Sequence, residues 1–119
     1  PHCVIFTDID VAKIPLEEIG PKFEFSELFP ERVNTEFINV LDSHTLKMRV
    51  WERGSGETLA CGTGACASAV AACLNGYCKK EEDITVKLVG GDLTINYTDD
   101  AVFMTGAATV SFTGELADD

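Results

Sequence analysis

An α+β fold, with mixed and antiparallel strands wrapped around one central helix, is what the sequence predicts, and three observations predict it. Residues 62–74 are an uncharged run of small residues (GTGACASAVAACL) closing at Asn75-Gly76, a helix apolar on every side that other elements must enclose. Short segments of alternating or clustered apolar residues flank this run on both sides, each bounded by glycine, proline or aspartate. No internal repeat, low-complexity tract or linker divides the chain, and 119 residues can bury one core and no more.

The elements follow in order. Residues 2–7 (HCVIFT) read as a buried strand, and residues 15–20 (PLEEIG) have the proline start and glycine stop of a short helix. A connector with a turn or single helical loop at residues 26–30 leads to strands at 36–41 and 45–51, which form a hairpin around Asp42-Ser43-His44. The polar run at residues 52–57 (ERGSGE) carries two glycines and predicts a sharp bend, after which the small-residue helix spans about 61–75. Strands are then expected at 84–89, 93–97, 102–105 and 109–112, separated by Gly90-Gly91-Asp92, Asp99-Asp100 and Gly106.

Composition narrows the function. Apolar residues make up 45% and charged residues 24%, which suits a folded globular chain rather than a disordered one. The formal charge of −11 is spread along the sequence with no basic cluster beyond Lys79-Lys80, so nucleic acid and anionic membrane are poor partners. Residues 59–78 carry no charge and nominally reach the length of a membrane span. Glycine, alanine, serine, threonine and cysteine dominate them, however, so insertion would be weakly driven and a buried helix is the expectation.

The chain opens on Pro1 with no methionine and no signal-peptide pattern, and a processed or truncated form is expected. Five cysteines (Cys3, Cys61, Cys66, Cys73, Cys78) are an odd number without a secretory signal, which points to a reducing cytoplasm rather than a disulfide framework. No CxxC occurs and the spacings turn neighbouring thiols to different sides of a helix, so no metal site is expected.

One stretch carries chemistry. In residues 52–65 (ERGSGETLACGTGA) a cysteine stands where a glycine-rich bend enters a helix. The first turn of a helix offers N–H groups without intrahelical partners and a partial positive charge, which favour a thiolate and can hold a carboxylate. Cysteines so placed have pKa values lowered to about 3.5–7.5, making Cys61 a candidate proton acceptor or nucleophile. The bland alternative, a small buried cysteine beside glycines that only permit close packing, is equally open from position alone. For Cys3, Cys66, Cys73 and Cys78 the bland reading holds.

Residues 51–65 (WERGSGETLACGTGA) closely resemble the second cysteine motif of diaminopimelate epimerases. Residues 1–4 (PHCV), 29–37 (FPERVNTEF) and 104–107 (MTGA) resemble further segments of that family, in its order, so the likeness spans essentially the whole chain. Proline racemases share only an acid-Arg pair and Cys-Gly-Thr-Gly with it.

The resemblance implies an enzyme that needs no pyridoxal phosphate or other cofactor. It inverts one α-carbon of 2,6-diaminopimelate between LL and meso forms, with a thiolate on one face and a thiol on the other. Cys61 matches the second of these cysteines. Gly62 and Thr63 match the positions whose backbone N–H groups meet the α-carboxylate. His2 and Glu52 match accessory groups that orient the α-ammonium end and hold the cysteines in their correct protonation states. Asn34 and Arg53 match residues gripping the distal amino-acid end, where a guanidinium suits a carboxylate.

The family's fold has two similar lobes with the site between them, and its first lobe, bearing the other cysteine, lies upstream of the part resembled here. Residues 1–106 are thus expected to belong to the second lobe, and residues 107–119 to form a final strand and tail that cross back to the first. The substrate and that amino-terminal lobe are the implied partners, a homodimer of the parent is possible, and the fragment by itself is expected to be inactive. Two other readings stay open, a proline or hydroxyproline racemase relative and a non-catalytic module using Cys61-Gly-Thr-Gly to bind an anion. Arg53, Asn34 and the long insertion at residues 54–58 favour a substrate with a distant charged end.

Overall fold

The computed structural model describes residues 2–27, 33–52, 54, 56–58, 62–106 and 111–114. Among these, eight strands form one mixed sheet: β1 (His2–Phe6), β2 (Asn34–Asp42), β3 (Thr45–Glu52), β4 (Gly56–Thr58), β5 (Asp83–Leu88), β6 (Gly91–Tyr97), β7 (Val102–Gly106) and β8 (Ser111–Gly114). The order is β1-β2-β3-β5-β6-β7-β8, with β4 hydrogen-bonded alongside β3. β1 pairs with β2 and β3 with β5 in parallel; the remaining pairs are antiparallel. Two α-helices, α1 (Leu16–Glu24) and α2 (Gly62–Leu74), and a 3-10 turn at Val11–Lys13 complete the fold. The α+β class expected from the sequence is therefore the observed one.

Side chains alternate across each strand, so the sheet has two differently furnished faces. On one face Ile38, Leu46, Met48, Val50, Ile84, Val86 and Ile95 are buried around Ala65, Ala69 and Ala72 of α2. The small residues of α2 let it lie close to the sheet, and Ser68, wholly buried, satisfies its hydroxyl on the Gly64 carbonyl at 2.8 Å. On the other face Val11, Leu16 and Phe37 form a second cluster with Ile5, Ile19, Phe23 and Trp51, and α1 covers it. No described helix is long and apolar enough to cross a membrane.

The helix expected to stop at Gly20 instead continues through Pro21 to Glu24. Gly20 is a contact rather than a stop: a Cβ there would fall 2.2 Å from the Trp51 ring, so only glycine lets α1 approach β3. Burial of Leu16, Gly20 and Glu24 along one side offsets the backbone bond that Pro21 cannot make. β2 begins two residues earlier than expected, at Asn34; the last strand is described over Ser111–Gly114, and residues 109–110 of the expected 109–112 lie outside the described residues. β4 arises within the run read as a bend, pairing Gly56 with Glu52 and Thr58 with Val50.

Two polar side chains secure the loop between β1 and α1. Asn39 donates to the carbonyls of Thr7 and Ile9 and accepts from the Val11 N–H, each at 2.8 Å. Arg49 makes a bidentate pair with Glu57, both contacts 2.7 Å, while donating to the carbonyls of Val11 and Ile14. Glu57 also holds the Arg49 guanidinium firmly in its charged form.

Candidate functional site

Strand register brings the sequence-predicted residues together. His2 and Asn34 are Cα partners at the starts of parallel β1 and β2. β3 runs antiparallel to β2 and ends at Glu52, beside Trp51, the partner of Thr35. His2, Asn34 and Glu52 therefore stand at one end of the sheet. By alternation all three belong to the face that α2 covers, because they share parity with Ile38 and Val50. All three are half-buried.

From there the chain folds back as β4, which ends at Thr58 opposite Val50, and α2 opens at Gly62 four residues later. Gly62 and Thr63 thus form the first turn of a thirteen-residue helix, where the positive end of the helix dipole lies. A Cβ at Gly62 would sit 3.0 Å from the Met104 methyl, so the helix start is close-packed against β7. Cys61 and Arg53, the remaining predicted residues, lie outside the described residues, as do the connector's residues 28–32.

Two buried carboxylates escaped the sequence reading. Glu36 follows Asn34 on the same face, is wholly buried, and its Oε1 lies 2.9 Å from Nδ1 of His2. Burial raises the Glu36 pKa, the His2 contact counters this in part, and the Glu52 charge adds to the rise. The signal was present in the sequence: an acid in alternation with Ile38 and Val40, on the apolar face of its strand. Glu24, at the end of α1, is 3% exposed and accepts from Nε1 of Trp51 at 2.8 Å.

Three of the other thiols are poorly disposed to ionise. Burial raises the pKa of Cys3, with the Glu36 charge second, and burial likewise raises that of Cys73. Cys78 is pushed up to about 11, first by burial and then by Cys73 and nearby acids. Among the described residues no His, Cys, Asp or Glu group is arranged to hold a metal ion. A cavity of about 480 Å³ lies at the far end of β1 and β2, lined by Phe6, Asp8, Asp10, Asn39, Lys47 and Tyr77 among others. None of the predicted site residues lines it.

A family model described as diaminopimelate epimerase matches residues 1–111. Among curated proteins, the chain is 54% identical over 118 residues to a diaminopimelate epimerase of Methanococcus maripaludis, covering 98% of this chain and 42% of that protein. It is 58% identical over 118 residues to one of Nostoc punctiforme and 56% identical over 119 residues to one of Acetivibrio thermocellus, covering 98% of this chain and 41% of each of those proteins. The chain thus spans about two fifths of the length of the curated relatives it matches. Among solved structures it resembles a phenazine biosynthesis protein of the PhzF family from Enterococcus faecalis, with a TM-score of 0.63 at 16% identity over 87% of this chain and 36% of that one. A PhzF-family protein from Bacillus anthracis gives a TM-score of 0.58 at 18% identity, covering 95% of this chain and 33% of that one, and both likenesses concern the fold.

Proposed function

The chain belongs to the diaminopimelate epimerase family, and from that premise we propose that it supplies one wall of an epimerase site, with Cys61 as one of two cysteines that move the α-proton of 2,6-diaminopimelate. The observation that carries this reading is the convergence of His2, Asn34 and Glu52 at the end of the sheet from which β4 returns to the start of α2.

The chemistry follows from those positions. The substrate α-carboxylate lies on the first turn of α2, where the backbone N–H groups of Gly62 and Thr63 stabilise the charge that grows as the α-carbon becomes planar. The Cys61 thiolate removes the α-proton from one side, or its thiol returns one there in the reverse direction. Glu52 and His2 receive the α-ammonium group, an acid and an imidazole being able to accept its N–H bonds. Arg53 and Asn34 hold the distal amino-acid end. The second cysteine comes from an amino-terminal lobe that closes over this wall, as the resemblance implies, and no cofactor takes part.

The test is made in the complete enzyme. Cys61→Ala is expected to abolish turnover in both directions, because each direction needs one residue to take a proton and the other to give one, while Cys66→Ala leaves turnover nearly intact. Comparable losses from the two substitutions would mean that packing around α2 has been mistaken for catalysis.

A further inference from the structure

Glu24 is a carboxylate that the proposed mechanism does not use, and its burial demands a reason. An apolar side chain could dock the end of α1 at lower desolvation cost. What a carboxylate adds is two acceptors at a fixed separation. Oε1 accepts from Nε1 of Trp51 at 2.8 Å and Oε2 from the backbone N–H of Gly54 at 3.0 Å. One carboxylate therefore grips the chain immediately before position 52 and immediately after position 53.

The grip is directional at both ends. Trp51 is wedged against Gly20, whose Cα leaves no room for a Cβ, so the indole cannot slide along α1. Trp51 and Glu52 are successive residues of β3 and project to opposite faces, so holding the indole on the α1 side commits Glu52 to the α2 side. At the other end Gly54 adopts φ +79°, a left-handed conformation, and the bond to Glu24 secures its amide within the turn.

We propose that Glu24 is a positioning residue for the substrate site, its carboxylate fixing Trp51 and Gly54 and through them the direction of Glu52 from the opposite side of the sheet. This rests on the reading of Glu52 given above, and its test has one arm that does not.

In that arm, Glu24→Gln is made in the 119-residue chain. Its single tryptophan gives one indole N–H resonance in a nitrogen–proton correlation spectrum, and Gly54 amide exchange is followed beside it. The amide side chain keeps an acceptor oxygen at one of the two positions and puts an NH2 donor at the other, so it cannot meet both N–H groups as the carboxylate does. The indole resonance is expected to shift and Gly54 exchange to accelerate about tenfold or more, while Ile84 and Ile95 amides in the β5–β6 ladder keep their protection. Unchanged Gly54 exchange overturns the proposal.

In the second arm, the same substitution in the complete enzyme is expected to raise KM for diaminopimelate about tenfold. A purely structural role would lower apparent kcat with the folded fraction and leave KM alone, and that result also overturns it. Should Glu24→Gln not fold, Trp51→Phe removes one arm of the clamp while retaining an aromatic ring against Gly20. An accelerated Gly54 amide in that variant supports the proposal and a native one overturns it. Altered Gly54 exchange in the chain, with a complete enzyme that lacks epimerase activity even before substitution, would refute the epimerase reading and leave the clamp standing.

Discussion

Nδ1 of His2 lies 2.9 Å from Oε1 of Glu36, a side chain with no solvent exposure whose other oxygen has no hydrogen-bond partner among the described residues. A half-satisfied buried carboxylate holds its proton more tightly than a free one, and the neighbouring Glu52 charge works in the same direction. A carboxyl whose pKa is raised on folding contributes stability that is complete below its ordinary value of about 4.3 and is lost as pH rises through the raised value.

Glu36→Gln keeps the shape and removes the titration. The stability of this variant relative to the native chain is therefore expected to improve as pH rises from about 4.3 and to level off above the raised value. The lowered carboxyls of Asp10, Asp42 and Asp99 are common to both proteins and cancel in the difference. Urea titrations at a series of pH values measure it. A difference that moves the opposite way would show Glu36 to be stabilised as an anion by His2.

The close approach of α1 to β3 makes Gly20→Ala costly. A methyl group would fall 2.2 Å from a Trp51 ring atom, and relieving that overlap means shifting α1 or the indole, at about 1–3 kcal/mol. The lone tryptophan reports both the loss of stability and the altered packing by its fluorescence. Native stability with an unchanged emission spectrum would show that α1 does not press on Trp51.

These positions mark where the sequence was legible. The periodicity of β2 and β3, the small-residue character of α2 and the turn residues between the later strands are local signals, and the elements they predicted are present. The candidate site was proposed from a motif: His2, Asn34 and Glu52 are far apart in sequence, and only strand register shows that they share one face. Glu24 and Glu36 were not read as site neighbours because their partners, Trp51 with Gly54 and His2, lie about thirty residues away. Gly20 was misread because a helix stop and a close contact call for the same residue, and only the Trp51 ring distinguishes them.

Competitive alkylation follows from the thiol environments. Cys3, Cys73 and Cys78 all have raised pKa values, with burial the leading cause, whereas the sequence sets Cys61 at a glycine-flanked helix start. Iodoacetamide at mildly acidic pH is expected to label Cys61 first, as read by peptide mass mapping. Faster labelling of Cys3 or Cys78 would contradict the helix-start argument.

Arg53→Lys in the complete enzyme is expected to raise KM for diaminopimelate substantially with little change in stability. An ammonium is a point charge and cannot reproduce the planar two-point contact of a guanidinium with a carboxylate. Steady-state kinetics and a thermal melt decide it. An unaltered KM would take Arg53 out of the substrate site and favour the racemase alternative, whose substrate has no distant charged end.

The last expectation is that these 119 residues alone do not epimerise diaminopimelate and gain activity when the amino-terminal portion of a family member is added. A planar carbanion must be protonated from the face opposite the one that lost its proton, so a second acid is needed across the substrate from Cys61. Cys66 and Cys73 lie within α2, Cys78 is buried beyond its end, and Cys3 belongs to β1, so none is placed across a cleft from the start of that helix. The chain also spans only about two fifths of its relatives, and the remainder would supply the wall that excludes water. Without it, the dipoles at Gly62 and Thr63 act in a high-dielectric medium and lose much of their effect. The measurement is α-proton exchange into deuterated water with LL- and meso-diaminopimelate, first for the chain alone and then with the separately expressed amino-terminal half. Turnover by the chain alone that disappears in Cys61→Ala would overturn the two-lobe mechanism, and rescue by the complementary half alone would support it.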